Sequence, residues 1–276
     1  MPELPEVEIV RQRLSRIAVG RPITALKVLD SRLMGENRIA FWRRNLVGKQ
    51  IDRVHRRGKY LALHLDDMNV WISHLRMTGN WLPARDEQTQ HCRAVITFEG
   101  GEQIIYADVR RFGTWNLLSQ TDAHEYLESR LGSEPLGAAF TTPAFLLSLK
   151  GRRAPIKSLL LDQKIVAGIG NIYADESLYD ARIDPHIPGC ELNYNQADDL
   201  VAAIRRSVSA AISQQAKNLI DDATIIAGSY GEGARDLLVY GKHGQPCRNC
   251  GGTIIKIRLR GRATHLCPSC QRSPTY

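Results

Sequence analysis

Cys247-Arg248-Asn249-Cys250 and Cys267-Pro268-Ser269-Cys270 stand sixteen residues apart near the C-terminus of this 276-residue chain. Two close cysteine pairs at that separation have the spacing of a four-thiolate zinc site. Each tight turn presents two thiolates, and the segment between them is long enough for a β-hairpin that brings the pairs together. Zinc held by four thiolates is tetrahedral and closed to water, so the single Zn²⁺ this predicts is structural. From Lys242 to Tyr276 there are seven Lys or Arg residues and no Asp or Glu. Four thiolates with Zn²⁺ carry about −2, which does not cancel those cations. A metal-stapled basic hairpin suits phosphates. Disulfides fit less well, because the chain has no secretory signature and the spacing falls in the zinc range.

The rest of the composition agrees with an anionic partner. The net charge is +8 and apolar residues make up 43% of the chain. That is enough for proper cores, and the length suits two domains with a small appendage. No apolar run approaches the roughly 18 residues of a membrane span. The first thirteen residues mix acids and bases and lack a signal-peptide core. Cys92 and Cys190 lie far apart and read as free thiols in a reducing compartment. The expected location is therefore cytoplasmic, beside the nucleoid.

Working back from the finger, residues 195–216 read as the longest helix, with Leu200, Ala203, Ile204, Val208, Ala211 and Ile212 on one face. Residues 228–233 form a glycine-rich loop. Helices are also expected over 142–150, capped by Thr141 or Thr142, over 155–161 and over 172–181, the last after the break at Gly168-Ile169-Gly170-Asn171. From about 23 to 118 the pattern changes to short strands, at 23–29, 51–55, 60–65, 70–74, 94–98 and 103–106. Turn formers such as Asp66-Asp67 and Gly100-Gly101 separate them. Many short strands with tight turns predict an antiparallel sandwich or barrel. Residues 3–18 predict a helix, since Val7, Val10, Leu14 and Ile17 make one apolar stripe and Pro5 falls in its first turn.

That helix opens on Pro2-Glu3-Leu4-Pro5-Glu6-Val7-Glu8. A small residue at position 2 is the usual condition for removing the initiator Met. Pro2 would then be an N-terminal secondary amine, titrating near 8 and partly nucleophilic at neutral pH. Attack of such an amine on a sugar carbon gives an iminium, which acidifies the neighbouring proton and leads to elimination. Glu3 and Glu6 lie close enough to supply an acid or a base. The same residues also suit a plain helix start, where the helix dipole favours Glu and the first turn accepts Pro.

Taken with the finger, these residues resemble the bacterial formamidopyrimidine-DNA glycosylases, a family that excises oxidised purines. Arg57-Gly58-Lys59-Tyr60, His74-Leu75-Arg76-Met77-Thr78-Gly79, Arg110-Arg111-Phe112-Gly113 and Gly168-Ile169-Gly170-Asn171-Ile172-Tyr173-Ala174 follow in the family's order, end to end. The resemblance implies an α+β fold: an N-terminal helix plus antiparallel β-sandwich (residues 1–132), a helical helix–two-turn–helix domain (133–240) and a β-hairpin zinc finger (241–276). It implies a monomeric, bifunctional glycosylase and AP lyase acting on double-stranded DNA that contains damaged bases, with the duplex in a basic cleft between the domains. Pro2 would attack C1′, Glu3 would act as the acid, and Glu6 would position them. Lys59 would contact DNA near the lesion. Asn171 and Arg262 would hold phosphates. Met77, Arg110 and Phe112 would fill the gap left when the damaged base leaves the stack, an apolar-wedge device. His91, Arg111, Arg153, Lys157 and Tyr240 complete the expected DNA-binding set.

The chain departs from the family pattern at three places. Arg76 stands where Gly usually precedes the wedge Met, and Val109 where Pro commonly precedes the two Arg residues. In Gly228-Ser229-Tyr230-Gly231-Glu232-Gly233-Ala234-Arg235, Glu232 and Gly233 replace a frequent aromatic pair. The core chemistry should be unaffected. Excision of 8-oxoguanine is expected to be weaker than that of ring-opened purines. Two alternatives stand beside this reading. One is an endonuclease VIII-like glycosylase for oxidised pyrimidines, which Leu4 argues against because that branch resembles Pro-Glu-Gly-Pro-Glu. The other is a binder of damaged DNA without catalysis, which would have lost the amine or the acid.

Overall fold

The computed structural model describes residues 1–84, 91–218 and 236–272. The described residues fall into two compact units. One is Met1–Ser129 with residues 214–218, and the other is Arg130–Ser213 with residues 236–272.

The first unit begins with helix α1 (Leu4–Ala18). Its strands are β1 (Ile23–Val28), β2 (Ile51–Arg57), β3 (Tyr60–Leu65), β4 (Asn69–His74), β5 (Gly79–Pro83), β6 (Cys92–Phe98), β7 (Gln103–Asp108) and β8 (Thr114–Ser119). They pair antiparallel into two four-stranded sheets, ordered β1-β6-β7-β5 and β2-β3-β4-β8. The six strands expected from sequence are present, each within three residues of its expected ends. β5 and β8 are additional. In β5 the first four residues, Gly79 to Leu82, are all buried, so no alternation marks it as a strand. Two helices, α2 (Ile39–Leu46) and α3 (Gln120–Glu128), also escaped the reading. Each is only two to three turns long, and α2 buries just Trp42 and Leu46, one pair at i, i+4 spacing.

All four tryptophans of the sequence lie in the core between these sheets. Trp81 stacks on Trp115 at 5.4 Å and 6° between planes, and Trp71 meets Trp115 edge-on at 4.7 Å. An aromatic of this size buries about 150–250 Å², worth roughly 4–6 kcal/mol per ring at the usual transfer coefficient. α1 is fastened to this core by its apolar stripe (Val7, Val10, Leu14, Ala18) and by Arg13, whose Nη1 donates to the Trp81 carbonyl at 3.1 Å.

The second unit contains α4 (Thr142–Leu149), α5 (Ile156–Leu160), α6 (Asn171–Asp180) and most of α7 (Tyr194–Asn218). Of the two candidate caps, Thr141 is the one used, accepting from Ala144 N at 3.3 Å. α7 buries Leu200, Ala203, Ile204, Val208 and Ala211, as its periodicity predicts, and leaves Ile212 half-buried. The finger hairpin is β9 (Ile255–Leu259) paired with β10 (Arg262–Leu266). Its two-residue turn, Arg260-Gly261, has φ of +46° and +80°, the left-handed pair that the right-handed twist of a tight hairpin favours.

Candidate functional site

The start of α1 is more buried than a surface helix end should be. Pro2 is buried, and Glu3 and Glu6 are only 2% and 1% exposed. Carboxylates are almost never this buried unless they are held. Glu3 occupies the N-cap in a capping box with Glu6, whose Oε2 accepts from the Glu3 amide at 2.8 Å while the Glu3 side chain faces the Glu6 amide. A Ser, Thr, Asp or Asn would serve the helix start better, so Glu3 is a weak choice for capping alone.

Glu8 extends the arrangement to the neighbouring sheet. Its carboxylate accepts from Arg11 Nη2 at 2.7 Å and from Arg56 Nε at 3.1 Å. Burial pushes this carboxyl up, but hydrogen bonds from Arg11 and Gln12 and the charges of Arg11 and Arg56 outweigh it and hold it below its ordinary value. Arg56 Nη1 in turn donates to the Gly58 carbonyl at 3.1 Å. This fixes the Gly58-Lys59 turn between β2 and β3, where Gly58 has φ +56°. Lys59 is 6% exposed and so is no solvated hairpin tip. Opposite Tyr60 on β4, His74 is depressed to about 3 by burial first and then by the charges of Arg76 and Lys59. Its Nδ1 accepts from Arg76 N at 2.9 Å, so the neutral ring carries its proton on Nε2.

The expected wedge residues are presented, not packed away. Phe112 is 52% exposed, with the Arg110 guanidinium 4.9 Å above its ring, and Met77 is half-buried. A large exposed aromatic in a basic loop is not core. Asp108, fully buried, holds the loops that carry these side chains. It accepts from Thr78 Oγ1 and, at 2.8 Å, from Gly113 N, while Thr78 Oγ1 accepts from Arg110 N at 2.9 Å. Arg111, at φ +61°, reaches back to Asp30 at 2.7 Å. Burial raises the Asp30 carboxyl, but hydrogen bonds from Arg32 and Arg111 bring it down to about 2. Arg76 has φ +55°, which explains physically why Gly is the usual residue there. His91 also lies at positive φ, +66°, and its carbonyl accepts from Asp108 N at 3.0 Å.

In the second unit, Arg153 is exposed just ahead of α5, and Arg262 is exposed at the start of β10. Asn171 is the first residue of α6 rather than its cap, which is Gly170. Its Nδ2 donates to the Ala263 carbonyl at 2.9 Å. Tyr240 lies edge-on to His265 at 4.8 Å. Lys157 differs from expectation. It is 1% exposed and turned inward, against Asp175, Ala263 and Thr264, and so is not placed to touch a ligand at the surface. The glycine-rich loop with Glu232 lies outside the described residues. Sequence reasoning did not single out Asp30, Asp108, Asp175 or Glu176. The available signal was two adjacent acids, Asp175-Glu176, directly after Ile172-Tyr173-Ala174 and shortly before Leu178-Tyr179.

The four finger cysteines fit one zinc ion. Their sulfurs all lie within 4.8 Å of one another, with Cys247–Cys270 at 3.8 Å and Cys250–Cys267 at 3.5 Å. Tetrahedral Zn–S bonds of about 2.3 Å would place sulfurs roughly 3.8 Å apart. Donors already face them: Tyr179 OH lies 3.0 Å from Cys247 Sγ, and Asn249 Nδ2 lies 3.2 Å from Cys270 Sγ. Such outer donors stabilise thiolates and orient them.

A helix-capped β-sandwich, a helical unit and a four-cysteine finger together define a class, and the comparisons with known proteins match it segment by segment. The formamidopyrimidine-DNA glycosylase N-terminal domain matches residues 1–115, the H2TH domain of the same enzymes residues 131–222, and the zinc finger found in FPG and IleRS residues 244–272. The chain is 39% identical to the formamidopyrimidine-DNA glycosylase of Herpetosiphon aurantiacus, covering 98% of this chain and all of that one. Among solved structures, Lactococcus lactis Fpg in complex with abasic-site DNA superposes with a TM-score of 0.88 at 37% identity, covering 98% of this chain and all of that one. MutM in complex with DNA containing carbocyclic 8-oxo-G gives a TM-score of 0.88 at 37% identity, covering 99% of this chain and all of that one. The chain belongs to the formamidopyrimidine-DNA glycosylase family.

Proposed function

We propose that this protein is a base-excision glycosylase and AP lyase for oxidised and ring-opened purines in double-stranded DNA, working through the amine of Pro2. The observation that carries the reading is the start of α1, where Pro2, Glu3 and Glu6 are buried together in a chain that matches glycosylases over its whole length. With Met1 removed, the Pro2 lone pair forms a bond to C1′ of the damaged nucleotide. The glycosidic bond breaks with its electrons going to the base, which takes up the proton lost from the Pro2 nitrogen; the C1′–O4′ bond then breaks as Glu3 donates a proton to O4′, leaving an N=C1′ iminium. The resulting iminium acidifies the proton on C2′. Loss of that proton expels the 3′ phosphate, and a second elimination expels the 5′ phosphate, nicking the strand. Glu6 keeps the Glu3 backbone in place through the 2.8 Å bond to its amide. The Glu8–Arg56–Gly58 chain of bonds keeps Lys59 in place.

Phosphates are the natural ligands of the remaining residues. Arg262 donates from the finger, and Asn171 retains a second Nδ2 hydrogen beside the one given to Ala263. His91, Arg111, Arg153 and Tyr240 extend the same surface chemistry. Lys157 contributes to binding from within, by holding the hairpin. Met77, Arg110 and Phe112 enter the stack when the base is extruded, a step that costs a few kcal/mol and calls for a wedge. The exposed Phe112 ring under the Arg110 guanidinium supports this. With Glu232 in place of an aromatic, ring-opened purines are excised faster than 8-oxoguanine. Single-turnover excision from duplexes carrying one formamidopyrimidine, one 8-oxoguanine or one oxidised pyrimidine tests the reading. Faster release of the ring-opened purine is expected, and faster release of the pyrimidine would overturn it.

A further inference from the structure

A buried polar network in the second unit links the two residues assigned to phosphates. Lys157 Nζ and Asp175 Oδ1 form an ion pair at 2.6 Å, with side chains 1% and 0% exposed. Lys157 Nζ also donates to the Ala263 carbonyl and to Thr264 Oγ1, each at 2.7 Å. Asp175 Oδ2 accepts from His265 N at 2.9 Å and lies 3.1 Å from His265 Nδ1. One side chain of α5 and one of α6 thus grip three consecutive residues of β10, those directly after Arg262. Asn171, at the start of the same α6, bonds to Ala263 as well. Glu176, next to Asp175, takes the amides of Leu238, Val239 and Tyr240 at 2.8, 2.9 and 2.7 Å, fastening the segment that leads into the finger.

A buried ion pair is a poor source of net stability, because the desolvation of both ions offsets their attraction. It is better suited to fixing an alignment, since a shift of β10 takes the Ala263 carbonyl and Thr264 Oγ1 from the buried Lys157 ammonium and the His265 amide from the buried Asp175 carboxylate, leaving both charges short of hydrogen bonds. The apolar cluster around the finger is small (Tyr179, Val239, Cys247, Ile254 and Cys267) and a two-stranded hairpin has little else to set its register. We propose that Asp175, through Lys157 and His265, is a positioning residue that fixes the register of β10 on α6 and so sets the separation between the phosphate donors of Arg262 and Asn171. This rests on the reading of Arg262 and Asn171 as phosphate ligands.

The test uses zinc-loaded full-length protein and a duplex carrying a tetrahydrofuran abasic analogue. Affinity is measured against salt concentration for wild type, Asp175→Asn, Arg262→Ala and the double variant, with hydrogen exchange over residues 263–266. Asp175→Asn should speed exchange in β10, weaken binding about tenfold and lower the salt slope by roughly one, as loss of one phosphate contact does. In the Arg262→Ala background it should add nothing, which a general loss of stability would not reproduce. Additive losses, or unchanged exchange, would overturn the proposal. If Arg262→Ala leaves both affinity and slope unchanged, the phosphate reading fails, and the exchange data alone decide on the register. Thr264→Val, which removes one acceptor from Lys157 and keeps the ion pair, covers the case in which Asp175→Asn does not fold. It should shift exchange and slope in the same direction by less, and wild-type behaviour of this variant would also overturn the proposal.

Discussion

Helix α1 and the finger hairpin both carry side chains of the proposed site, but they are held by different forces. α1 lies on a core with four tryptophans, and its polar residues need only trim its position. The hairpin has two five-residue strands flanked by four cysteines, and a buried Lys–Asp pair from α5 and α6 holds it. On the proposed mechanism the nucleophile must reach one carbon atom, and a large apolar core supplies the rigidity. The finger, on the same proposal, must meet phosphates, which requires cations at the surface and leaves few residues for a core. A metal and a polar lock replace the missing apolar area.

The comparison can be broken most directly by removing zinc. A structural site of this kind supplies about 10–16 kcal/mol of folding free energy to its module. Chelation should abolish duplex binding while tryptophan emission and its thermal transition stay unchanged, since every tryptophan is in the first unit. A tryptophan transition that moved with zinc would contradict the separation. The converse change is Trp71→Ala, which should cost about 3–5 kcal/mol as a large-to-small core substitution. Zinc content, measured by metal analysis, should remain at one per chain, and its loss would show that the finger depends on the sandwich.

Smaller effects sharpen the account of the wedge loops. Asp30 is depressed to about 2 in the fold, below its ordinary 3.8. Its contribution is therefore complete above about pH 4 and is lost as pH falls toward 2. Allowing for solvent screening, that contribution is about 1 kcal/mol. Asp30→Asn should remove it at neutral pH and flatten the acid limb of the stability curve over that window. An unchanged limb would show that the Arg111 contact contributes nothing. Smallest is Arg76→Gly, which relieves a left-handed backbone but loosens the unfolded chain, for a net change below roughly 1 kcal/mol. The same variant should raise the His74 titration above about 3 while leaving it below the ordinary imidazole value, because burial remains the main cause. An NMR titration of His74 that did not move would exclude Arg76 as a contributor.

Much of this was legible in the sequence because it is written in local patterns. The cysteine spacing marks the finger, the 3–4–3 stripe marks α1, and alternation marks six of eight strands. β5 was not legible because it is buried on both faces, and α2 because its apolar stripe is one pair of residues. At the proposed site, Pro2, Glu3 and the candidate wedge residues belong to contiguous motifs, so the sequence alone puts them forward as candidates. The roles of Asp108 and Asp175 could not be named, since each acts on residues that folding, not sequence order, brings close. Asp175 and His265 are ninety positions apart. Lys157 shows the opposite case: grouped from sequence with the DNA-binding residues, it is buried against Asp175, Ala263 and Thr264.

The central claim is that Pro2 is the nucleophile. Borohydride trapping of Met1-free protein, verified by intact mass, on an abasic duplex and on one carrying a formamidopyrimidine tests it most directly. The account predicts a covalent adduct on both duplexes that maps to Pro2 and disappears in Pro2→Gly. No adduct, or an adduct that maps to Lys59 and survives in Pro2→Gly, would contradict it.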